Sequence, residues 1–191
     1  MGSVTIRMQT LSVAEIFTNP AGFYVLGYGW LFGQTIWVSF IGGVIAHRSL
    51  TRANFTTLQS KLFPAFFSSS IFLSGGLMGL WSMTHPDALE NLHKPLVVDV
   101  LQLYLLGGAA ALNASQYFFI GPATNKIITD RQRQEREEGK NYNDPNVSDA
   151  LKQLNKQFGM WHGISSLLNL FVVIGLTLHG LVLGTYGLRS Y

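Results

Sequence analysis

The sequence predicts an all-α integral membrane protein, a bundle of four transmembrane helices with both termini on the same side and a helical cytoplasmic segment between spans three and four. Two observations carry this expectation. The chain is 48% hydrophobic with 12% charged residues, about half the charged share of an ordinary globular domain. Its charges are also segregated, since stretches of more than twenty residues hold one ionisable group or none. Such stretches read as membrane spans.

Residues 1–21 come first. They hold Arg7 and Glu15 but no apolar core ending in a small-residue cleavage site, so they do not read as a removable signal peptide. Ser12 and Glu15 have capping-box spacing, and Val13, Ile16 and Phe17 follow the cap, which predicts a short interfacial helix ending near Asn19-Pro20. A four-span membrane domain then fills residues 22–188, with spans at about 22–46, 62–83, 95–120 and 161–188. At roughly 1.5 Å rise per residue, each crosses a hydrocarbon core of about 30 Å.

Four crossings place the termini together, and the Lys and Arg count orients them. The first and third connections carry ten basic residues, from Arg48, Arg52 and Lys61 to Lys152 and Lys156, against Arg7, Lys94 and Arg189 on the other side. Basic residues mark cytoplasmic loops, so the termini are expected on the lumenal or exterior side. Within the cytoplasmic segment 121–160, a charged helix continues the third span until Gly139 and the turn-rich Asn141 to Pro145 break it. Ser148 caps a new helix, with Leu151, Leu154 and Phe158 at helical spacing, that runs on into the fourth span. The charged run reads as a solvated helix face or as a docking surface for a partner or anionic lipid.

Polar groups facing lipid are costly, so their helical phase points to the bundle interior. The stripes are Thr35, Ser39 and Gly42 in span one; Ser68, Gly75 and Gly79 in span two; Asp99, Gln102, Ala110 and Asn113 in span three; and His162, Ser166, Asn169, Gly180 and Gly184 in span four. Asp99, Gln102 and Asn113 are thus the candidate intramembrane polar residues. Convergence of these stripes has two readings: hydrogen bonding that fixes a compact bundle, or a polar cavity for a ligand, ion or proton.

Composition excludes several functions. There is no cysteine, which removes disulfides, thiol catalysis and thiolate metal sites. The net charge is +3 and the basic residues alternate with acidic ones, unlike a nucleic-acid binder. No histidine pair has ligand spacing, and Ser165 and Ser166 beside His162 lack a nucleophile elbow and an orienting carboxylate. The expectation is no enzyme, no metal and no cofactor.

Two signatures resemble a known family. Gly33-Gln34-Thr35-Ile36-Trp37-Val38-Ser39-Phe40-Ile41 with Gln59-Ser60-Lys61-Leu62-Phe63-Pro64, and Phe158 followed by Trp161-His162-Gly163-Ile164-Ser165-Ser166-Leu167-Leu168-Asn169, resemble the transmembrane protein 205-like family, and Asn113 and Gly121-Pro122 fit its third-span exit. The resemblance implies four spans and no catalytic residues, in animal relatives associated with endomembranes, the cell surface and platinum-drug resistance. Without cysteine, thiolate handling of a soft metal is not carried over to this chain.

Physically, Arg48, Lys61 and His162 stand at cytoplasmic span ends, where a cation reaches lipid phosphate. Gln59, Ser60, Ser165, Ser166 and Asn169 join them as candidates for a clasp between the entrances of spans two and four, or for a headgroup or small-anion pocket. The expected role is a non-enzymatic accessory, assembly or trafficking component of the endoplasmic reticulum, a related endomembrane or the plasma membrane. Its partners would be membrane lipids, other membrane proteins or further copies of itself, and no nucleic acid. The alternative is a small transporter or a lipid- or anion-binding protein.

Overall fold

The computed structural model describes residues 12–187. Arg7 and Arg189, used to orient the chain, and the end of the fourth span at residue 188 lie outside them.

The described residues form helices and no strand. Helix α1 (Val13–Thr18) starts where Ser12 Oγ accepts the Glu15 N–H, and Asn19 ends it. Asn19 then caps α2 (Pro20–Ile36) through Ala21 N–H, with Pro20 in the first turn, where a missing N–H costs nothing. The helix continues without a break through a π-helical turn, Trp37–Gly42, into α3 (Gly43–Ser49). Only Leu50 and Thr51 separate it from α4 (Arg52–Thr84), which contains Pro64. A short α5 (Pro86–Glu90) leads to α6 (Val98–Ser115). That helix passes through a second π-helical turn, Gln116–Ile120, into α7 (Gly121–Glu138). Gly139 stops α7 with φ 62°, a left-handed conformation that costs glycine little. Ser148 then caps α8 (Asp149–Tyr186), a helix of 38 residues.

Among the described residues, three helices are long and apolar enough to cross a membrane: Pro20–Ser49, Arg52–Thr84 and Asp149–Tyr186. The last two begin well before the expected spans at 62 and 161, because their polar first turns are helical too. The stretch expected as span three maps onto α6 and its π turn, which are not among these three. Gln102, Asn113 and Gln116 of this stretch are buried and Asp99 is half-buried.

Helices α2, α4, α6 and α8 pack around one core of Tyr24, Leu31, Leu77, Trp81, Leu103, Leu106, Val172 and Leu176. The end near α5, termed here the terminal end, is cross-linked by polar groups. Tyr24 Oη lies 3.0 Å from His179 Nε2, Tyr28 Oη donates to Leu176 O, and Trp81 Nε1–H donates to Asp99 O. Outward faces are apolar: Leu167, Phe171, Ile174, Leu178 and Leu181 on α8 are all exposed. A continuous apolar exterior of this kind suits lipid rather than water.

One stripe is corrected. The inward face of α4 carries Ser70, Ser74, Leu77 and Trp81, whereas Ser68 and Gly79 are exposed. Burying the large Trp81 and Leu77 removes more apolar surface than burying two glycines and a serine would, and that sets the helix rotation.

Candidate functional site

At the opposite end, where the charged residues lie, the helices separate. Three irregularities occur near the same level. The two π turns add a residue to their helices, and Pro64 lacks the N–H that would bond the Ser60 carbonyl. The second π turn has a local cause: Pro122 follows it and cannot donate to Phe118. Gly121 fits there because a Cβ would lie 2.9 Å from Gln116 O.

The space between the separated helices is a cavity of about 1440 Å³. Its walls come from both π turns, the first turns of α4, α7 and the first half of α8. Seven of the eight candidate residues line it: Arg48, Gln59, Ser60, His162, Ser165, Ser166 and Asn169; Lys61 does not. Lys61 is exposed elsewhere on α4. Asp99, Gln102 and Asn113 lie outside the cavity, toward the terminal end or within the core.

A polar layer closes the cavity floor. Asn169 Nδ2 donates to Ser39 Oγ at 3.2 Å, Gln116 Nε2 donates to Asn169 Oδ1 at 3.3 Å, and Ser165 Oγ donates to Gln116 Oε1. One asparagine of α8 thereby ties both π turns together. Beside it Gln34 Nε2 donates to Ser70 Oγ at 2.9 Å, and Ser69 Oγ donates to Gln34 Oε1 at 3.1 Å. Among the described residues, no hydrogen bond joins the entrances of spans two and four as the expected clasp would; a different cross-link takes its place. It joins α8 to the two π turns, not to the start of α4, where Ser60 Oγ donates to Thr57 O of its own helix. Ser166 Oγ likewise donates to His162 O, and His162 stacks on Phe158 at 5.6 Å.

The mouth is basic. Arg48, Arg52 and Arg131, with His47 and His162, line the cavity, and no Asp or Glu is among the lining residues. Arg52 forms a two-pronged ion pair with Glu135, at 2.7 and 2.9 Å. Its guanidinium also lies 4.2 Å from the centre of the Tyr142 ring, and Arg131 lies 4.8 Å from the same ring and 4.3 Å from Phe158. The loop holding Tyr142 is latched at both backbone atoms: its N–H donates to Glu135 Oε1 and its carbonyl accepts from Asn155 Nδ2 at 2.7 Å. Glu138 anchors the loop's far end through Ser148 N–H and Oγ, and these bonds with Gln134 hold its carboxyl below the ordinary value.

Arg131, Tyr142, Asn155 and Gln116 were not among the candidates from sequence. Arg131 sits in a run that reads as a solvated face, yet it is 8% exposed. Its signal was Phe158 and Tyr142, the aromatic residues it packs between, which stand far from it in the chain.

Comparison with known proteins places this architecture. A family model described as a domain of unknown function, DUF4149, matches residues 26–133, which include two cavity walls, the start of α4 and Arg131. Transmembrane protein 205 of Danio rerio is 27% identical over 185 residues, covering 88% of this chain and 95% of its own length. Xanthocillin biosynthesis cluster protein D of Aspergillus fumigatus is 24% identical over 174 residues, covering 91% of this chain and 95% of its own. No solved structure matches. The chain belongs to the DUF4149, transmembrane protein 205-like family of membrane proteins.

Proposed function

We propose that this protein is a four-span, non-enzymatic membrane protein that binds an amphipathic molecule in its cavity. The observation that carries this reading is the cavity itself, about 1440 Å³ in volume and basic at its mouth. Phe40, Val44, Phe118 and Leu170 line it and are exposed. A ligand tail therefore has an apolar path between the cavity and the surrounding lipid, and its head has cations to meet. Of the two earlier readings, this geometry favours the lipid- or anion-binding one over an accessory role in assembly or trafficking.

The fourth crossing in this reading is α6, which buries its polar Gln102 and Asn113 against its neighbours. The basic mouth faces the cytoplasm under the positive-inside rule, and the exposed Val13, Ile16 and Phe17 of α1 lie in the opposite interface. The membrane that houses the protein is the endoplasmic reticulum, a related compartment or the plasma membrane.

Ser166→Trp tests the binding role. Ser166 lines the cavity, and its hydroxyl bonds only its own helix, so the indole fills space without removing a cross-helix bond. The wild-type protein extracted in mild detergent should carry co-purifying lipid by mass spectrometry, and the variant should lose most of it at unchanged thermal stability. Equal lipid content in both would overturn the reading. Orientation is tested by the Asn146-Val147-Ser148 sequon, which should stay unglycosylated in a secretory host while one added to the C-terminal tail is modified. The reverse pattern would invert the topology.

A further inference from the structure

We infer that the cavity mouth is a specific site for a phosphate ester whose head also carries hydroxyl groups, with Arg131 as its principal anion-binding residue. The inference rests on the binding role proposed above and names the chemistry of the head.

The first support is a buried charge to which no anion is bonded among the described residues. Arg131 is 8% exposed and forms no ion pair among the described residues, while neighbouring Arg52 is engaged by Glu135. Arg131 is held by two aromatic faces, and its Nε–H is buried without an acceptor. A buried guanidinium is costly unless an anion and hydrogen bonds accompany it. Burial and the Arg52 charge push its pKa down against the smaller opposing pull of Glu135, though a guanidinium stays protonated at neutral pH. Its planar fork matches phosphate oxygens, and the absence of Asp or Glu from the cavity lining leaves that role to a ligand.

The second support concerns acceptors. Gln59 Oε1 and Asn155 Oδ1 are also buried without a donor, and both residues line the same cavity. Phosphate oxygens at neutral pH supply few donors, so a simple phosphate leaves these two atoms unmatched. Hydroxyl groups on the head satisfy them. A choline head has no N–H to donate; the primary ammonium of ethanolamine would supply donors, but three arginines line the same space and disfavour a cation. Unmatched donors and acceptors together thus select a polyol phosphate over a choline or ethanolamine phosphate.

The third support is the cover. Tyr142 packs its ring against both Arg52 and Arg131, and its backbone is bonded to Glu135 and Asn155. The loop helps to exclude water from the Arg131 guanidinium, which strengthens its attraction for an anion.

A phosphate ester of this kind is the head of a bilayer lipid or a free molecule in the cytoplasm, and the test separates them. The full-length protein in detergent is titrated with dioctanoyl phosphatidylinositol, dioctanoyl phosphatidylcholine and free inositol monophosphate, with binding read by native mass spectrometry. Phosphatidylinositol should bind about tenfold or more tightly than phosphatidylcholine. Arg131→Gln should remove that preference by the same factor, the size of a lost charge-assisted hydrogen bond. Gln59→Glu should do the same while leaving Arg131 in place. It is nearly isosteric and adds a carboxylate to the cavity, so it separates loss of anion binding from misfolding. Strong binding of inositol monophosphate would assign the free ester, and weak binding would assign the lipid. Equal binding of both lipids, unaffected by either variant but blocked by Ser166→Trp, would overturn this inference and leave the cavity reading intact. No binding of either lipid or of inositol monophosphate would overturn both.

Discussion

The two ends of the bundle use the same kinds of residue to opposite effect. At the terminal end, Tyr24, Trp81 and His179 are 0–1% exposed and cross-bonded in a dry core. At the charged end, Ser39, Gln116, Ser165 and Asn169 are also cross-bonded, but they form the floor of a large cavity. Backbone regularity separates the two. The terminal halves of α2, α4 and α6 are regular, whereas both π turns and Pro64 fall toward the charged end. Regular helices present one continuous stripe and close on one another, while a helix with an inserted residue changes face and leaves space. The contrast indicates that packing at one end supplies stability and irregularity at the other supplies room.

Trp81→Ala attacks the closed end and should have the largest effect on stability. It removes a ring that is 1% exposed, stacks on His85 at 4.0 Å and donates to Asp99 O. A loss of about 3 to 5 kcal/mol is expected, measured as unfolding in detergent. Near-wild-type stability would mean that the terminal end is not the stabilising half. Asn169→Ala acts at the boundary and should cost less, on the order of 1 kcal/mol for interhelical hydrogen bonds in a membrane protein. It releases both π turns at once, so lipid retention should change more than stability does. A purely structural clasp would show the reverse ratio.

The smallest effect is expected at the latch of the mouth. Glu138 has a depressed carboxyl pKa because Ser148 and Gln134 bond its charged form. Its contribution is fully present above the ordinary value of 4.5 and is lost as pH falls through the lower, folded value. Acid should therefore loosen the Gly139–Ser148 loop without unfolding the terminal end. Carboxyl titration by NMR should show Glu138 below 4.5, and Glu138→Gln should remove the acid-dependent step in loop protection. A loop insensitive to acid in the wild type would separate the latch from the mouth.

Much of the helix plan was legible from local chemistry. Ser12, Pro20, Gly139 and Ser148 mark ends where side-chain caps or a left-handed residue act within a few positions of each other. The apolar segments Pro20–Ser49, Arg52–Thr84 and Asp149–Tyr186 are equally local facts of composition. The site was legible only in part. The motif residues His162, Ser165, Ser166 and Asn169 do line the cavity, but Gln59 and Ser60 do not bond α8, and Arg131 was hidden in a charged run.

By itself, the sequence determined which segments are helices, which of them are apolar enough to enter lipid, and where the positive charge gathers. Those properties depend on residues a few positions apart. Tertiary structure decided which polar groups meet. A π turn adds one residue and rotates everything after it by about 100°, so a stripe counted at regular helical spacing loses its phase there. Asn169 meets Ser39 and Gln116, and Arg131 meets Tyr142 and Phe158, only once four helices have fixed their rotations against the bulk of Trp81, Leu106 and Leu176.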